Sequence, residues 1–487
     1  MKFLRLILLA FVASLSSNSA VVFAKSGLPN IVFILADDLG VSDLGCTGST
    51  FYDTPNLDQL AREGMRFTQA YAACPVCSPT RAAYMTGKYP PRTGITDYIG
   101  GYHKEKLLPA PNQDHLALEE FTVAEALKAA GYVTAHFGKW HLGGEGFYPE
   151  QQGYDVNVGG CRAGHPPSYF SPYKIATLPD GPKGEYLNDR LATECEKFLD
   201  ENKDHRFFLS FCQYAVHTPL QAKPDMIKKY EAKLAKIKDH SHDFRSEGAT
   251  RDRRVQNHPT YAAMVESMDD AVGRIMKKLS ALGLDKNTVI IFTSDNGGLS
   301  TMNQAPTSNA PFRAGKGWLY EGGIREPMIV KWPGVTKPKT LCNAPVITMD
   351  FYPTLLHIAG APQRPEQHRD GIDITPLFTG GKIRERNFYW HYPHYGNQGG
   401  QPGGAIRSGD WKLIEWYESG RTELYNLKND KEEQHDLASS ESTKVEELES
   451  QLAAWRKDVN AIMPTPNPDW TGEPRKKANK AKAAVAE

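Results

Sequence analysis

The sequence predicts an α/β fold: a large, mostly parallel sheet sandwiched by helices, followed by a small C-terminal α+β subdomain with an antiparallel sheet. Three observations carry this expectation. Continuous apolar, β-branched runs read as strands buried on both faces. Helix-period patterns lie between those runs, as in sheets built from alternating strands and helices. From about Asn387 the long runs give way to short segments joined by tight turns.

Residues 1–24 stand apart as a secretory signal. Lys2 and Arg5 precede the apolar run 6–12, then small residues suited to cleavage after Ala24. That run is too short for a membrane anchor, so the mature protein is expected to be exported. Few, scattered cysteines and the lack of any Asn-x-Ser/Thr sequence favour a bacterial periplasm or exterior.

Residues 25–385 form the expected main domain. Residues 31–35, Ile-Val-Phe-Ile-Leu, make its first buried strand, which stops at Asp37-Asp38-Leu39-Gly40. The stretch "CPVCSPTR", residues 74–81, joins a CxxC to a helix start, with Pro79 in the first turn. "FFLSFCQYAVHTP" reads as a further strand ending near His217. Residues 223–257 are charge-rich and read as a solvated helix and loop. Residues 261–282 place Met264, Met268, Val272, Ile275 and Leu279 on one helical face. "TVIIFTSDNGG" then repeats the first strand's design, ending on Asp295-Asn296. Residues 386–465 form the subdomain, closed by a helix with Val445, Leu448, Leu452 and Trp455 inward. Residues 466–487 make a basic tail, read as disordered.

The bulk numbers exclude more than they assign. With 57 basic and 57 acidic residues, nothing points to nucleic acid or an anionic membrane. The 42 glycines and 33 prolines occur without a repeat, as in a loop-rich globular enzyme.

The chemistry gathers where strands end, which is where open α/β sheets place ligands. One Asp pair would merely end a strand and cap a helix. Asp37, Asp38, Asp295 and Asn296 form two such groups, each after a buried strand, and oxygen-only donors select a hard cation. Cys77 opens a helix whose N-terminus suits an anion, with Arg81 adding a fork-shaped donor. Lys139 and His141 form a second cationic cluster, and Arg313, Lys316 and Arg325 a third. With His217 at a strand end, these suggest displacement on a tetrahedral oxyanion.

At these residues the chain resembles the type I sulfatases, the arylsulfatase group of the alkaline-phosphatase-like superfamily. Cys77-Ser78-Pro79-Thr80-Arg81 matches that family's Cys-x-Pro-x-Arg signature, and "TGKYPPRTG" continues it. "GYVTAHFGKWHLG" matches the second signature, and "ADDLG", "HTPL", "SDNGG" and "KGWLYEGGIREP" fall in the family's order. The resemblance implies an alkaline-phosphatase-like fold and a sulfuric ester hydrolase. It implies that a maturation enzyme converts Cys77 to Cα-formylglycine, hydrated at rest, and that the CxxC is incidental to Cys74. It further implies one Ca2+ held by Asp37, Asp38, Asp295 and Asn296 and touching residue 77. Arg81 would stabilise the diol, Lys139 and Lys316 would balance sulfate charge, His217 would be the general acid, and His141 would deprotonate the second hydroxyl.

For substrate contacts the sequence offers Arg162, His165, His391, His394 and Arg407. A sulfated carbohydrate is the substrate class that exported bacterial relatives suggest. Rival readings are a phosphate or phosphonate ester hydrolase of the same superfamily, a non-catalytic glycan-binding relative, and a CxxC redox protein.

Overall fold

The computed structural model describes residues 27–239, 243–302 and 304–472. The expected signal segment and the basic run after Pro474 lie outside the described residues. None of the helices among them is long and apolar enough to cross a membrane.

Among the described residues, nine strands form the main sheet. Across it run Thr340–Cys342, Met65–Tyr71, Arg325–Lys331, Thr288–Ser294, Asn30–Ala36, Phe207–Cys212, Val133–Gly138 and Val156–Val158, with Val346–Ile347 also pairing to Met65–Tyr71. Neighbours are parallel except at Arg325–Lys331, which is antiparallel to both of its own.

The apolar run at the sheet's centre explains its two coverings. Side chains alternate along a strand, so Val32 and Ile34 join one core and Ile31, Phe33 and Leu35 the other. The first core takes helices Leu187–Glu201 and Pro259–Ala281; the second takes Cys77–Thr86 and Phe351–Ile358. The Pro259–Ala281 helix begins two residues before the predicted one because the His258 ring accepts from the Tyr261 N–H and Pro259 occupies the first turn.

Two expectations need correction. The strand read through "FFLSFCQYAVHTP" ends at Cys212. Beyond it the chain keeps irregular bonds to the first strand's end, with Asp37 N–H donating to Ala215 O at 3.1 Å and Val216 N–H to Asp37 O at 2.7 Å. His217 is thus held by a loop laced to Asp37. Residues 223–257, read as a helix and loop, contain the helix Pro224–Leu234 and a hairpin, Phe244–Glu247 against Thr250–Arg253. Its Arg251 and Arg253 guanidinium groups sit 4.4 Å from the Phe244 ring, an attraction that charge counting misses.

The C-terminal sheet is antiparallel, in the order Phe388–Tyr392, Gly403–Ser408, Trp411–Trp416, Arg421–Asn426. Helix Ser442–Asp458 buries Leu448, Leu452 and Trp455 against it. Their apolar cluster continues through Tyr71, Cys74 and Val76 to Leu319, so this sheet props the start of the Cys77 helix and the loop carrying Lys316. A fully buried Lys412 pins the junction, with Nζ 3.1 Å from Glu321 Oε1 and 2.8 Å from Glu433 Oε1. Removing one partner of a buried ionic cluster leaves uncompensated charge, at about 3–5 kcal/mol. Lys412→Met is therefore expected to lower the melting temperature by several degrees, read by calorimetry against Lys444→Met on the surface.

Candidate active site

The site starts from strand register. Asn30–Ala36 and Thr288–Ser294 pair in parallel up to Ala36 against Ser294, so Asp37-Asp38 and Asp295-Asn296 leave the sheet side by side. Asp38 N–H donates to Asp295 Oδ1 at 3.2 Å, and Asn296 Nδ2 to Asp38 Oδ1 at 2.8 Å. Asp38 and His141 have φ of 61° and 57°, a left-handed backbone that costs a non-glycine residue about 1–3 kcal/mol. Strain of this kind persists where surrounding contacts enforce it.

Each carboxylate meets one cation. Arg81 reaches Asp295 Oδ2 through Nε at 2.9 Å and a second nitrogen at 2.7 Å, and its Nη1 donates to Lys139 O at 2.8 Å. Lys139 Nζ donates to Asp37 Oδ2 at 2.7 Å. Lys316 Nζ lies 2.7 and 2.8 Å from the two Asp38 oxygens. Gly138 permits the Lys139 approach: its φ is +96°, and a Cβ there would stand 2.0 Å from the Cys212 carbonyl, which accepts from Lys139 N–H.

Cys77 is the first residue of its helix, and Val76 at the N-cap supplies no side-chain acceptor. The Cys77 Sγ is 3.3 Å from His141 Nδ1, and His141 Nε2 is 3.1 Å from Ile99 O. A carbonyl can only accept, so Nε2 carries the proton and Nδ1 turns a lone pair to residue 77. His217 is assigned in the same way: Nδ1 donates to Thr218 O at 2.8 Å, and Nε2 faces Asp38 Oδ2 at 3.5 Å.

Electrostatics follow from burial. Burial pushes the Cys77 thiol up, with Lys139 and Lys316 only partly offsetting it, so an unmodified Cys77 is no thiolate. Burial, then Lys139, holds His141 well below an ordinary histidine; burial, then Lys316, does the same to His217. Burial opposes the Lys316 charge, yet Asp38 overcomes it and keeps the ammonium protonated. Asp38 is held low by Lys316 and His217 against the same burial.

The donor set fits a hard cation. Asp37 Oδ1 and Asn296 Oδ1 are buried without a hydrogen-bond partner, a costly arrangement unless something electropositive faces them. Ligand atoms of Asp37, Asp38 and His217 lie within 4.8 Å of one another. The oxygens suit a hard cation; His217 is tied to the same carboxylate that Lys316 holds.

Other candidates divide. Of the third cationic cluster only Lys316 turns inward. Arg313 forks onto Glu247 at 2.7 and 2.9 Å, and Arg325 pairs with Glu321 at 3.0 Å. The His165 ring stacks on His217, centroids 5.8 Å apart, and Arg162 and His394 line one cleft. His391 is placed elsewhere: it is buried, with Nδ1 on Tyr417 OH and Nε2 on Ile462 O. Arg407 is likewise internal, bonding Tyr71 OH at 2.5 Å, Gly409 O and Gln69 Oε1. Sequence reasoning missed Ile99, which sets the His141 tautomer with a backbone carbonyl. Backbone groups leave no residue-type signal to find.

Comparisons with known proteins give the chain its family. The sulfatase family model matches residues 29–361, and the model for the C-terminal part of N-sulphoglucosamine sulphohydrolase matches residues 314–458. Arylsulfatase A of Homo sapiens is 34% identical over 409 residues, 79% of this chain and 74% of its own. A sulfatase of Formosa agariphila is 32% identical over 517 residues, 89% of each chain. The structure of Ps i-CgsB in complex with k-i-k-neocarrahexaose superposes with a TM-score of 0.73 at 30% identity, over 92% of this chain and 95% of that one.

Proposed function

The chain belongs to the type I sulfatases of the alkaline-phosphatase-like superfamily and is a sulfuric ester hydrolase; from that premise we propose that it desulfates carbohydrate, using Cys77 oxidised to formylglycine and a bound Ca2+. The observation that carries this is the Cys77 side chain, a buried thiol facing the His141 lone pair among Lys139, Lys316 and three carboxylates. Ps i-CgsB, of the same fold, was solved with a neocarrahexaose, which supports a sugar substrate.

Asp37, Asp38, Asp295 and Asn296 would hold the Ca2+, whose charge would favour the sulfate oxygens. A formylglycine at position 77 would supply a hydroxyl to attack sulfur and a second oxygen through which sulfate is expelled. The chain's own groups do the rest. Arg81, fixed by Asp295 and Lys139 O, orients residue 77. Lys139 and Lys316 present ammonium groups to the sulfate. His217 Nε2, 3.5 Å from Asp38 Oδ2, would carry a proton to the departing alkoxide, and His141 Nδ1 would take one from residue 77. Residues 1–24 support export, and a formylglycine-generating enzyme would be the maturation partner.

The test is mass spectrometry on the tryptic peptide ending at Arg81, from protein made in its native host. An aldehyde at position 77 is expected, trappable by a hydrazine. A thiol that persists after co-expression with a formylglycine-generating enzyme would overturn the mechanism. Separately, stripping divalent cations with EGTA is expected to lower both activity and melting temperature, and added Ca2+ to restore both. A melting temperature that does not respond would argue against the oxygen cluster as a cation site.

A further inference from the structure

We propose that the cleft beside His141 is a subsite for a second anionic group on the substrate, and that Arg162 selects it. This rests on the sulfatase reading above. The cleft encloses about 390 Å3, within the ~300–1,000 Å3 range of small-molecule sites and enough for a sugar ring.

Part of its wall continues the two segments that clamp His141, and the rest is residues 109–114 and His394. Ile99, whose carbonyl accepts from the ring Nε2, leads directly into Gly100 and Tyr102. Cys161, whose carbonyl accepts from the His141 N–H at 3.1 Å, leads directly into Arg162. Gly164 lies against the same ring, where a Cβ would come within 2.5 Å of Cε1. Two lining residues, Gly100 and Arg162, thus directly follow the residues whose carbonyls hold the imidazole that faces Cys77 Sγ.

The lining holds one cation, Arg162, and one acid near it. Asp114 is the acid of the cleft: His115 Nδ1 lies 2.7 Å from it, and the Arg162 charge also acts on its carboxylate, so an anion bound here has to compete with Asp114 for Arg162. His394 is buried with Nε2 2.8 Å from Thr96 Oγ1, and burial pushes its ring down to about 3, so it stays neutral. The Asn112 carbonyl oxygen accepts from Thr96 and Asp97 N–H. Arg162 is exposed and forms no ion pair among the described residues. Its planar fork matches a carboxylate or a sulfate. At the rim Tyr102 is 65% exposed, a ring face available to stack on a sugar. A sulfated sugar carrying a second anion, either another sulfate or an adjoining uronate, suits Arg162 and Tyr102 together.

The experiment compares kcat/KM on three substrates: a monosulfated monosaccharide, the same sugar with a second sulfate, and a disaccharide joining it to a uronate. Wild type is expected to favour at least one of the two dianions. Arg162→Gln is expected to cut that preference by about 10- to 100-fold, chiefly through KM, the scale of one charged hydrogen bond. Arg162→Lys should retain part of it, and the ratio that collapses identifies the group. Calorimetric binding of the same sugars to Cys77→Ala, with and without Arg162→Gln, reads the subsite independently of turnover. No preference in wild type, or a preference and affinity that survive Arg162→Gln, would overturn the proposal. Failure of the sulfatase reading looks different: the aldehyde-bearing enzyme would release no sulfate from any substrate, 4-nitrophenyl sulfate included.

Discussion

Cys77→Ala is expected to fold, bind Ca2+ and lose sulfate release by on the order of 10⁴- to 10⁶-fold, the scale at which deleting a unit of a covalent catalytic apparatus registers. Alanine fits the helix start, where Cys77 is 2% exposed and bonds nothing but His141, so the melting temperature should move little. Cys77→Ser makes the sharper test. Serine supplies one hydroxyl and can attack sulfur, but it has no second oxygen with which to expel the sulfate. A single turnover should therefore leave a sulfate ester on residue 77, visible by mass spectrometry, while steady-state release stays near zero. Cys74→Ala supplies the contrast. Cys74 is buried with its Sγ 3.9 Å from Thr96 O, so its loss should lower stability modestly and leave the modification at position 77 intact. Equal loss of catalysis in both variants would revive a redox role for the CxxC.

What the sequence made legible was whatever a strand or helix period fixes locally. Asp37-Asp38 and Asp295-Asn296 could be placed together because each follows a continuous apolar run, and parallel strands end on one edge. Cys77 and Arg81 could be placed because four residues of helix bring them to the same side. The rest depended on partners far away in the chain. Arg313 and Lys316 sit three residues apart in one glycine-rich loop, and nothing local says which turns inward. Glu247, 66 residues upstream, captures Arg313, while Asp38, 278 residues upstream, captures Lys316. His391 and Arg407 read as candidate sugar ligands for the same reason. Their partners, Ile462 and Tyr417 for one and Tyr71 for the other, are visible only once the second sheet has docked.

His217→Ala should divide substrates by their leaving group. A sugar alkoxide is a strong base and needs a proton as the S–O bond breaks; a nitrophenolate does not. Loss of a general acid costs ~10²- to 10⁴-fold, so sulfated sugars should lose that much while 4-nitrophenyl sulfate loses far less. The pH profile gives a second reading. Burial and Lys316 hold His217 well below an ordinary histidine, so it loses its proton within the acidic range, and kcat/KM for sugar sulfates should decline as pH rises from acid toward neutral. His141, depressed by burial and Lys139, stays neutral as pH falls and should set no limb until strongly acidic conditions. In His217→Ala that decline should vanish along with most of the rate. A uniform loss across aryl and sugar sulfates, with the decline intact, would instead mean that His217 serves mainly to hold Asp38. The proton would then have to come from another group at the mouth of the site, with His165, stacked on the same ring, the first to substitute.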